Sequence, residues 1–360
     1  MDYENFKEKI VNDLKDELYE RGEDVTIRIN EVKKLNESYE AITVMPEGSN
    51  IGVNVDLKKI YGGLENGMTY DEVVENTANI VQKGFSERPD IDVNALGDYS
   101  FMKKTLVMEV VSAETNKELL ETVPHQNIED MAVVYRFALN SKNDGMASIL
   151  VTDLLLKSMG VTPEQLHADA MENAPIIKPA EIKGMSEIMA EMMGAEQAAM
   201  MGLGPVDPED EKIYVATVPD KVHGAVVLAY QNIMDQAAER AGGDFFILPS
   251  SIHEVLIVPD NGEMTLKELE AMVREVNATQ VSPADKLTDS VYHYDCKEKI
   301  FELGEKFEKR MAEKEAERVS EKNEKTSVLG DLKAKKDEAA KAPKKDAVEK
   351  AVKNKGQETL

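Results

Sequence analysis

A chain of 360 residues, of which 42% are hydrophobic and 31% charged, is long enough to bury a sizeable core. No run approaches the length of about eighteen apolar residues that a membrane span needs, and the amino terminus lacks the basic region and apolar core of a signal peptide, so we expect a cytosolic protein. The single cysteine, Cys296, excludes an internal disulfide framework and a thiolate zinc site within one chain.

The net charge of −26 is unevenly distributed along the chain. Residues 1–302 carry 27 basic and 56 acidic side chains, whereas residues 303–360 carry 16 and 13. An acidic body repels phosphate backbones, so we do not expect it to bind nucleic acid directly. The same charge favours solubility and attracts basic partners.

The first elements form a small α+β unit over residues 1–87. Four apolar residues spaced by four predict a helix that ends at Gly22, namely Phe6, Ile10, Leu14 and Leu18. Extended segments are predicted at 25–32, 39–45 and 51–57. Thr69 and Glu72 then form a capping box, which predicts a second helix.

Residues 88–100 read as a linker to a main domain at 101–302. The apolar residues of 101–111 fit a helix and a strand equally well. Two hairpins are predicted further on, one pairing 131–139 with 146–151 around Asn143-Asp144-Gly145, the other pairing 213–218 with 224–230. Helices are predicted after Thr152, from Thr162 to about Asn173, and over 232–241.

An insert at 181–210 is rich in methionine. Met185, Met189 and Met193 share one face of a predicted helix, and methionine surfaces can repack around different partners. One interpretation is a partner-binding helix. The other is a mobile hairpin or lid that packs loosely on its own domain.

The most apolar, β-branched stretch is 244–260, which predicts a central hairpin interrupted by Pro249-Ser250-Ser251. Its second strand, 252–258, places Glu254 and Leu256 on one face and Val255 and Ile257 on the other. A capping box at Thr265 and Glu268 opens a further helix, and 291–295 reads as a last short strand.

Successive hairpins predict an α+β fold with an antiparallel or mixed sheet and helices packed on it. The tail, 303–360, is charged and of low complexity, contains Pro343, and is expected to be part helical and part disordered. The small apolar group at 327–332 could dock on a partner or simply start a weak helix.

Ser250, Ser251, His253 and Glu254 are the candidate catalytic residues, because a nucleophilic serine needs a base and an acid that orients the base. Neighbouring residues of a strand point to opposite faces, and the chain has no G-x-S-x-G elbow. The alternative is a turn whose serines bond the backbone and whose histidine is a polar anchor.

The candidate metal ligands are His125, His253, His293 and Asp295, which strands distant in sequence could bring together. The five histidines have no H-E-x-x-H spacing, and neither a Walker A sequence nor G-x-G-x-x-G occurs. No cofactor is therefore predicted.

Several blocks of the sequence carry a resemblance to a known family. They are N-K-E-L-L-E-T-V-P-H at 116–125, M-A-V-V-Y at 131–135, G-V-T-P-E-Q-L-H-A-D-A-M-E-N at 160–173, F-F-I-L-P-S-S-I-H-E-V at 245–255 and V-Y-H-Y-D at 291–295. Over residues 1–297 the chain resembles a family of uncharacterised proteins from Clostridia and related gut Firmicutes, defined by a domain of unknown function. The S-V-L-G-D-L-K-A-K-K tail resembles tails of proteins encoded by integrative elements.

The resemblance implies a fold and a compartment but no reaction. Our leading hypothesis is a non-enzymatic interaction or accessory protein, linked through its tail to a mobile element, that binds a protein partner through the methionine-rich insert or the tail. The alternative hypothesis is a hydrolase or metal-dependent enzyme with a site near His253 and His293.

Overall fold

The structure is a computed structural model that describes residues 1–49, 52–87, 95–139, 147–202, 206–207, 210–230 and 232–341, with side chains except at 95, 147, 195, 321–334 and 337–341. Within these residues the strands form three antiparallel sheets with helices between and around them. The predicted α+β class is confirmed, and the sheets are antiparallel rather than mixed. The chain divides into one compact unit at residues 1–304 and a second from residue 305 onward.

The first sheet is flanked by three helices. In chain order the elements are α1 (Tyr3–Glu20), β1 (Val25–Lys34), β2 (Glu37–Pro46), β3 (Val53–Asp56), α2 (Leu57–Glu65) and α3 (Tyr70–Ser86). β2 pairs with both other strands. The four residues that predicted α1 are fully buried, because a spacing of four places them on one face of the helix: Phe6, Ile10, Leu14 and Leu18.

Helix α2 was not predicted. Asp56 accepts the backbone N–H groups of Lys58 and Lys59 and so starts a helix directly after β3. The predicted capping box of Thr69 and Glu72 is confirmed at the start of α3. These elements bury an apolar cluster of their own. The domain boundary at 88–100 falls within the first compact unit and stays a prediction, and residues 88–94 lie outside the described part of the chain.

The segment 101–111, which fitted helix and strand equally, contains both. A 3₁₀ turn (Ala95–Gly97) leads into α4 (Tyr99–Met102), and a second 3₁₀ turn (Lys103–Thr105) leads into β4 (Leu106–Ser112). All seven residues of β4 are buried, including the carboxylate-bearing Glu109.

The second sheet is organised around its longest strand. Its remaining elements are α5 (Lys117–Leu120), β5 (His125–Ile128), β6 (Met131–Leu139) and β7 (Ala147–Leu150). β6 pairs with β4, β5 and β7, so the first predicted hairpin is confirmed as the β6–β7 pair. Its predicted turn, Asn143-Asp144-Gly145, lies outside the described residues.

The next elements lead to the third sheet: α6 (Asp153–Ser158), α7 (Pro163–Ile177), β8 (Glu181–Gly184), α8 (Met185–Met193), α9 (Ala195–Met200) and β9 (Tyr214–Thr217). Thr152 and Thr162 cap α6 and α7 as predicted. α7 runs to Ile177 rather than Asn173 and includes Pro175.

The prediction of a strand at 224–230 was wrong. Gly224–Ala229 forms a 3₁₀ helix whose first five residues are all buried. A short, fully apolar run has no period that distinguishes a strand from a helix, so the sequence of 224–230 did not decide between them. β9 pairs instead with β8 and β11.

The third sheet is completed by α10 (Ile233–Ala241), β10 (Phe245–Leu248), β11 (Val255–Pro259), α11 (Leu266–Thr279), β12 (Tyr292–Asp295) and β13 (Ile300–Leu303). Its strand order is β13-β12-β10-β11-β9-β8, so the predicted hairpin of β10 and β11 lies at its centre. β11 begins three residues later than predicted, because the Ile252 N–H donates to the Asp285 carbonyl and Ser251 bridges Lys286. β13 was not predicted.

The two faces of the third sheet differ in what they bury. Tyr214, Ala216, Val255 and Ile257 point into the main core cluster, which also contains residues of the second sheet. The alternation predicted for β11 is therefore confirmed. We call this side of the sheet the inner face and the other side the outer face.

The second unit contains most of α12 (Gly304–Lys341). Among residues 305–341 the sequence has 11 basic and 10 acidic side chains. The helical part of the tail prediction is confirmed as far as Lys341, and Pro343 lies outside the described residues. None of the helices described for this chain is both long enough and apolar enough to cross a membrane.

Candidate functional site

The four candidate catalytic residues stand in the connection between β10 and β11. The Ser251 hydroxyl accepts the backbone N–H of His253 at 3.0 Å, and the Ser250 carbonyl accepts the N–H of Leu287. The ring of His253 points elsewhere, with Nε2 3.3 Å from Asp285 Oδ1. The serines thus fix the loop through backbone contacts, and the structure shows no serine–imidazole hydrogen bond within the described residues.

The candidate metal ligands have separate partners. His125 Nδ1 lies 3.0 Å from the Val123 carbonyl, and the fully buried His293 lies 3.2 Å from Asp260. Asp295 accepts the backbone N–H groups that follow it in the turn to β13. Across the described ranges, no group of three or more His, Cys, Asp or Glu residues is placed to hold a metal ion.

The structure brings His253 together with residues that the sequence did not indicate. The backbone N–H of His223 donates to His253 Nδ1 at 3.3 Å, and the two rings lie 5.8 Å apart. His223 Nε2 is 3.7 Å from Glu109 Oε1, and Arg136 Nε is 3.2 Å from the same oxygen. A carboxylate inside the apolar run V-M-E-V-V was the one available signal, because a buried charge needs a partner.

A groove of about 250 Å³ lies between α8 and the outer face of the third sheet. Its floor consists of alternate residues of β8, β9 and β11 and of the residue just before β11: Glu181, Lys183, Val215, Thr217, Leu256 and Glu254. Its wall consists of residues of α8 together with one residue of the loop after β9: Met185, Ile188, Met189, Glu191, Met192 and Lys221. We call this feature the methionine groove. It contains Glu254, so one of the four candidate catalytic residues belongs to it.

The position of α8 is set at its amino terminus by Glu211. The Glu211 carboxylate accepts the Ser186 hydroxyl and its backbone N–H, which leaves fewer helix donors unsatisfied. The Met185 N–H donates to the Ile213 carbonyl at 2.8 Å. Gly184 precedes the helix, and a Cβ at this position would collide with the Glu211 carboxylate. Any larger residue at this position would have to displace that carboxylate.

The methionines of this region are unevenly exposed. Met185 and Met189 are half-buried in the groove, whereas Met192 is 76% exposed and Met200 of α9 is 89% exposed. No residue of α8 is fully buried. A helix that covers apolar surface without being covered itself presents flexible thioether side chains to a partner.

The charge around the methionine groove is acidic. Residues 184–211 contain seven Asp and Glu and no Lys or Arg. The two lysines that line the groove are Lys183 and Lys221, and Lys183 Nζ is already bound to Glu191 at 2.9 Å. The groove therefore combines apolar thioethers with an excess of carboxylates.

A second cavity, of about 390 Å³, lies where the β1–β2 turn meets the loop after β4. It is polar, with lysines and glutamates in equal number, and Lys33 is bound to Glu118 at 2.7 Å. Asn36 and the buried Asn116 bond each other through side chain and backbone. These contacts join the first sheet to the second, so the cavity belongs to a structural junction.

Cys296 is the one cysteine of the chain and is half-buried. Its backbone N–H donates to Asp244 at 2.9 Å. A hydrogen bond to the Asp244 carboxylate, together with burial, raises the pKa of the Cys296 thiol. The thiolate is the reactive form, so this setting lowers the reactivity of the residue.

Fold and site together define an acidic α+β protein with antiparallel sheets and a methionine-lined groove on its outer face. The chain belongs to the family described as a family of unknown function (DUF5688), which matches residues 3–296. The family resemblance read from the sequence blocks is thereby confirmed, while the bacterial lineage stays a prediction. No curated protein and no solved structure matches the chain.

Proposed function

We propose that this chain is a non-enzymatic interaction protein that binds a basic, amphipathic segment of a partner protein in the methionine groove. The observation that carries the proposal is the groove itself, in which half-buried Met185 and Met189 lie over the outer face of the sheet, in a stretch of sequence rich in carboxylates. Helical segments with one apolar face commonly bind in such grooves.

Two features of the groove support the binding of the partner's apolar side chains. Its methionines can adopt several side-chain conformations at little cost, so they fit partner side chains of different shapes. Its floor also offers Val215 and Leu256, which are neighbours in register on adjacent strands. Burying one such large apolar side chain contributes about 1.5–3 kcal/mol.

The acidic charge of the groove region supports the expectation that the partner segment is basic. Three glutamates line the groove against two lysines, and the sequence of residues 184–211 contains seven Asp and Glu and no Lys or Arg, so the region attracts Lys and Arg and repels acidic segments. The alternative binding region, α12, has nearly balanced charge over residues 305–341 and offers no comparable selectivity. The free thiol of Cys296 is compatible with a cytosolic setting, which is part of this proposal.

The test uses the full chain and a synthetic helix of about 18 residues with leucines on one face and lysines on the other, measured by fluorescence anisotropy. Two control peptides are used, one with the same composition in scrambled order and one with glutamate in place of lysine. The amphipathic basic peptide is expected to bind at least about tenfold more tightly than either control.

Matched variants locate the binding. Replacing Met185 and Met189 by serine is expected to weaken binding of the basic peptide about tenfold or more, because two groove-lining thioethers are lost. Replacing Met200 and Met201 by serine changes the same residue type outside the groove lining and is expected to leave affinity within about twofold. Equal binding of acidic and basic peptides, or equal loss in both variants, would contradict the proposal.

A further inference from the structure

His223 and His253, which we call the histidine pair, adjoin residues that line the methionine groove. Their side chains are 33% and 35% exposed, so protons can reach both rings. Thr217, which lines the groove, donates its hydroxyl to the His253 carbonyl at 2.8 Å. Lys221 and Glu254, which also line the groove, stand two residues before His223 and one residue after His253.

The hydrogen bonds of His253 require its neutral form. Its Nδ1 accepts the His223 backbone N–H at 3.3 Å, and an N–H group can only donate. Its Nε2 faces Asp285 Oδ1 at 3.3 Å and therefore carries the ring proton. Protonation would place a second N–H on Nδ1, directly against the His223 N–H. Both ring nitrogens of an imidazolium are donors, so a protonated His253 can no longer accept the His223 N–H.

The loop that ends at His223 is held in a strained conformation. Lys221 and His223 have φ values of 54° and 55°, in the left-handed region that non-glycine residues seldom adopt. Such conformations are costly and persist only when their surroundings hold them. Contacts with other segments that hold it include the bond from the Lys178 ammonium to the Val222 carbonyl, 2.8 Å, and the bond from the His223 N–H to His253. Within the loop, Lys221 and Val222 donate their N–H groups to the Val218 carbonyl and the Asp220 carboxylate.

Charged groups from three other elements face His223. Glu109 of β4 lies 3.7 Å away and shares its near oxygen with Arg136 of β6, while Lys178 follows α7. Burial lowers the pKa of His223, and Lys178, His253 and Arg136 act in the same direction, against Glu109. The second oxygen of Glu109 is buried and has no hydrogen-bond partner among the described residues. This oxygen can therefore accept a hydrogen bond from a protonated His223.

We infer that the histidine pair is a proton-operated switch that releases the loop at 218–224 and weakens the methionine groove for basic segments as the medium becomes acidic. The inference rests on the proposed function for its effect on binding, but not for the loop movement. Two consequences of protonation act in the same direction. Positive charge appears next to the groove, and the loop carrying Lys221 loses one of the bonds that hold it.

The loop movement is tested by amide hydrogen exchange of the full chain at about pH 7.5 and about pH 5.5, corrected for the intrinsic pH dependence of exchange. In the unmodified chain, protection over 218–224 is expected to fall about fivefold or more at the lower pH. His253→Asn places a carbonyl oxygen near the position of Nδ1 that can accept the His223 N–H but does not titrate in this range. This variant is expected to keep its protection at both pH values.

His125→Asn is the matched control, since His125 is a half-buried histidine that bonds a backbone carbonyl in the second sheet. It is expected to lose loop protection in acid as the unmodified chain does. Unchanged protection in the unmodified chain, or an equal loss in His253→Asn, would overturn the switch.

Binding of the basic peptide at the same two pH values tests the coupling to the groove. Affinity is expected to fall about fivefold or more in the unmodified chain and in His125→Asn, and to stay within about twofold in His253→Asn. If the peptide binds at neither pH, the proposed function fails while the exchange result still decides the switch. If it binds equally at both pH values while the loop opens, the coupling is overturned.

Discussion

The two faces of the third sheet are built from the same strands but perform different tasks. On the inner face, Val255 and Ile257 are no more than 3% exposed and pack in the main core. On the outer face, their neighbours Glu254 and Leu256 form the floor of the methionine groove. The period-2 geometry of a strand separates these two sets of side chains across a single backbone.

The difference between the two faces indicates which residues stabilise the fold and which are available to bind a partner. The inner face uses β-branched and aromatic residues, which have few rotamers and pack to a fixed shape. The outer face mixes charges with a helix of methionines, none of them fully buried. We therefore expect substitutions on the inner face to change the free energy of unfolding and substitutions on the outer face to change binding.

The largest effect is expected from Ile257→Ala. Ile257 is 3% exposed in the main core, so its loss leaves a cavity that costs about 2–5 kcal/mol of unfolding free energy. Leu256→Ala removes a side chain of similar size from the half-exposed outer face and is expected to cost about 1 kcal/mol. Urea unfolding of both variants, followed by circular dichroism, gives the two values.

Peptide binding completes that comparison. Leu256→Ala is expected to weaken the basic peptide by several fold, whereas folded Ile257→Ala is expected to bind it as the unmodified chain does. Similar unfolding losses in the two variants would mean that the faces are not distinct in the way their burial indicates.

A second, smaller contrast comes from two glycines. A Cβ at Gly224 would collide with Thr217 Oγ1 and the His253 carbonyl, whereas a Cβ at Gly184 would collide with the flexible end of Glu211. Because a backbone oxygen cannot move aside as a side chain can, Gly224→Ala is expected to cost about 1–3 kcal/mol, measured by thermal unfolding.

Gly184→Ala is expected to cost less, about 0.5–1 kcal/mol, because it displaces only the carboxylate that caps α8. Its main effect is expected on the peptide, since α8 forms the wall of the groove. A larger loss of stability in Gly184→Ala than in Gly224→Ala would contradict the assignment of Glu211 as a displaceable cap.

The sequence was informative where one local signal decided the structure. Thr69 and Thr265 start helices because each is followed three residues later by Glu72 or Glu268, and both capping boxes are present. The central β10–β11 hairpin followed from its apolar composition. β13 could not be found in this way, since its four residues follow a turn set by Asp295 and carry no pattern of their own.

The site depended on contacts that no local pattern encodes. His223 and His253 meet across 30 positions of sequence, and Glu109 reaches His223 from another sheet. The methionine repeat indicated a helical face, but only the structure shows that Lys183, Val215 and Leu256 lie beneath it. Predicting such a groove requires strand register, which is fixed by pairing between distant segments.

The smallest expected effect concerns pH and distinguishes two histidines, one in α7 and one in the loop after β9. Burial lowers the pKa of His167, whose Nδ1 lies 2.8 Å from the hydroxyl of Tyr135, and burial is also the largest influence lowering the pKa of His223. The unfolded chain, with histidine pKa values of about 6.5, therefore takes up these protons before the folded chain does. The contribution of these two histidines to the free energy of unfolding is therefore fully present above about pH 6.5. It is lost as the pH falls through their pKa values in the folded chain.

His167→Gln and His223→Gln should therefore each flatten the decline of unfolding free energy between about pH 7 and about pH 5, as urea titrations at several pH values would measure. His167 lies in α7, outside the lining of the groove, so His167→Gln is expected to leave the pH dependence of peptide binding unchanged. His223→Gln is expected to reduce it, because the substitution keeps the backbone N–H that bonds His253 but removes the ring that would take up a proton beside Glu109. A change of binding in His167→Gln as large as that in His223→Gln would show that protons act on the groove through overall stability rather than through the histidine pair.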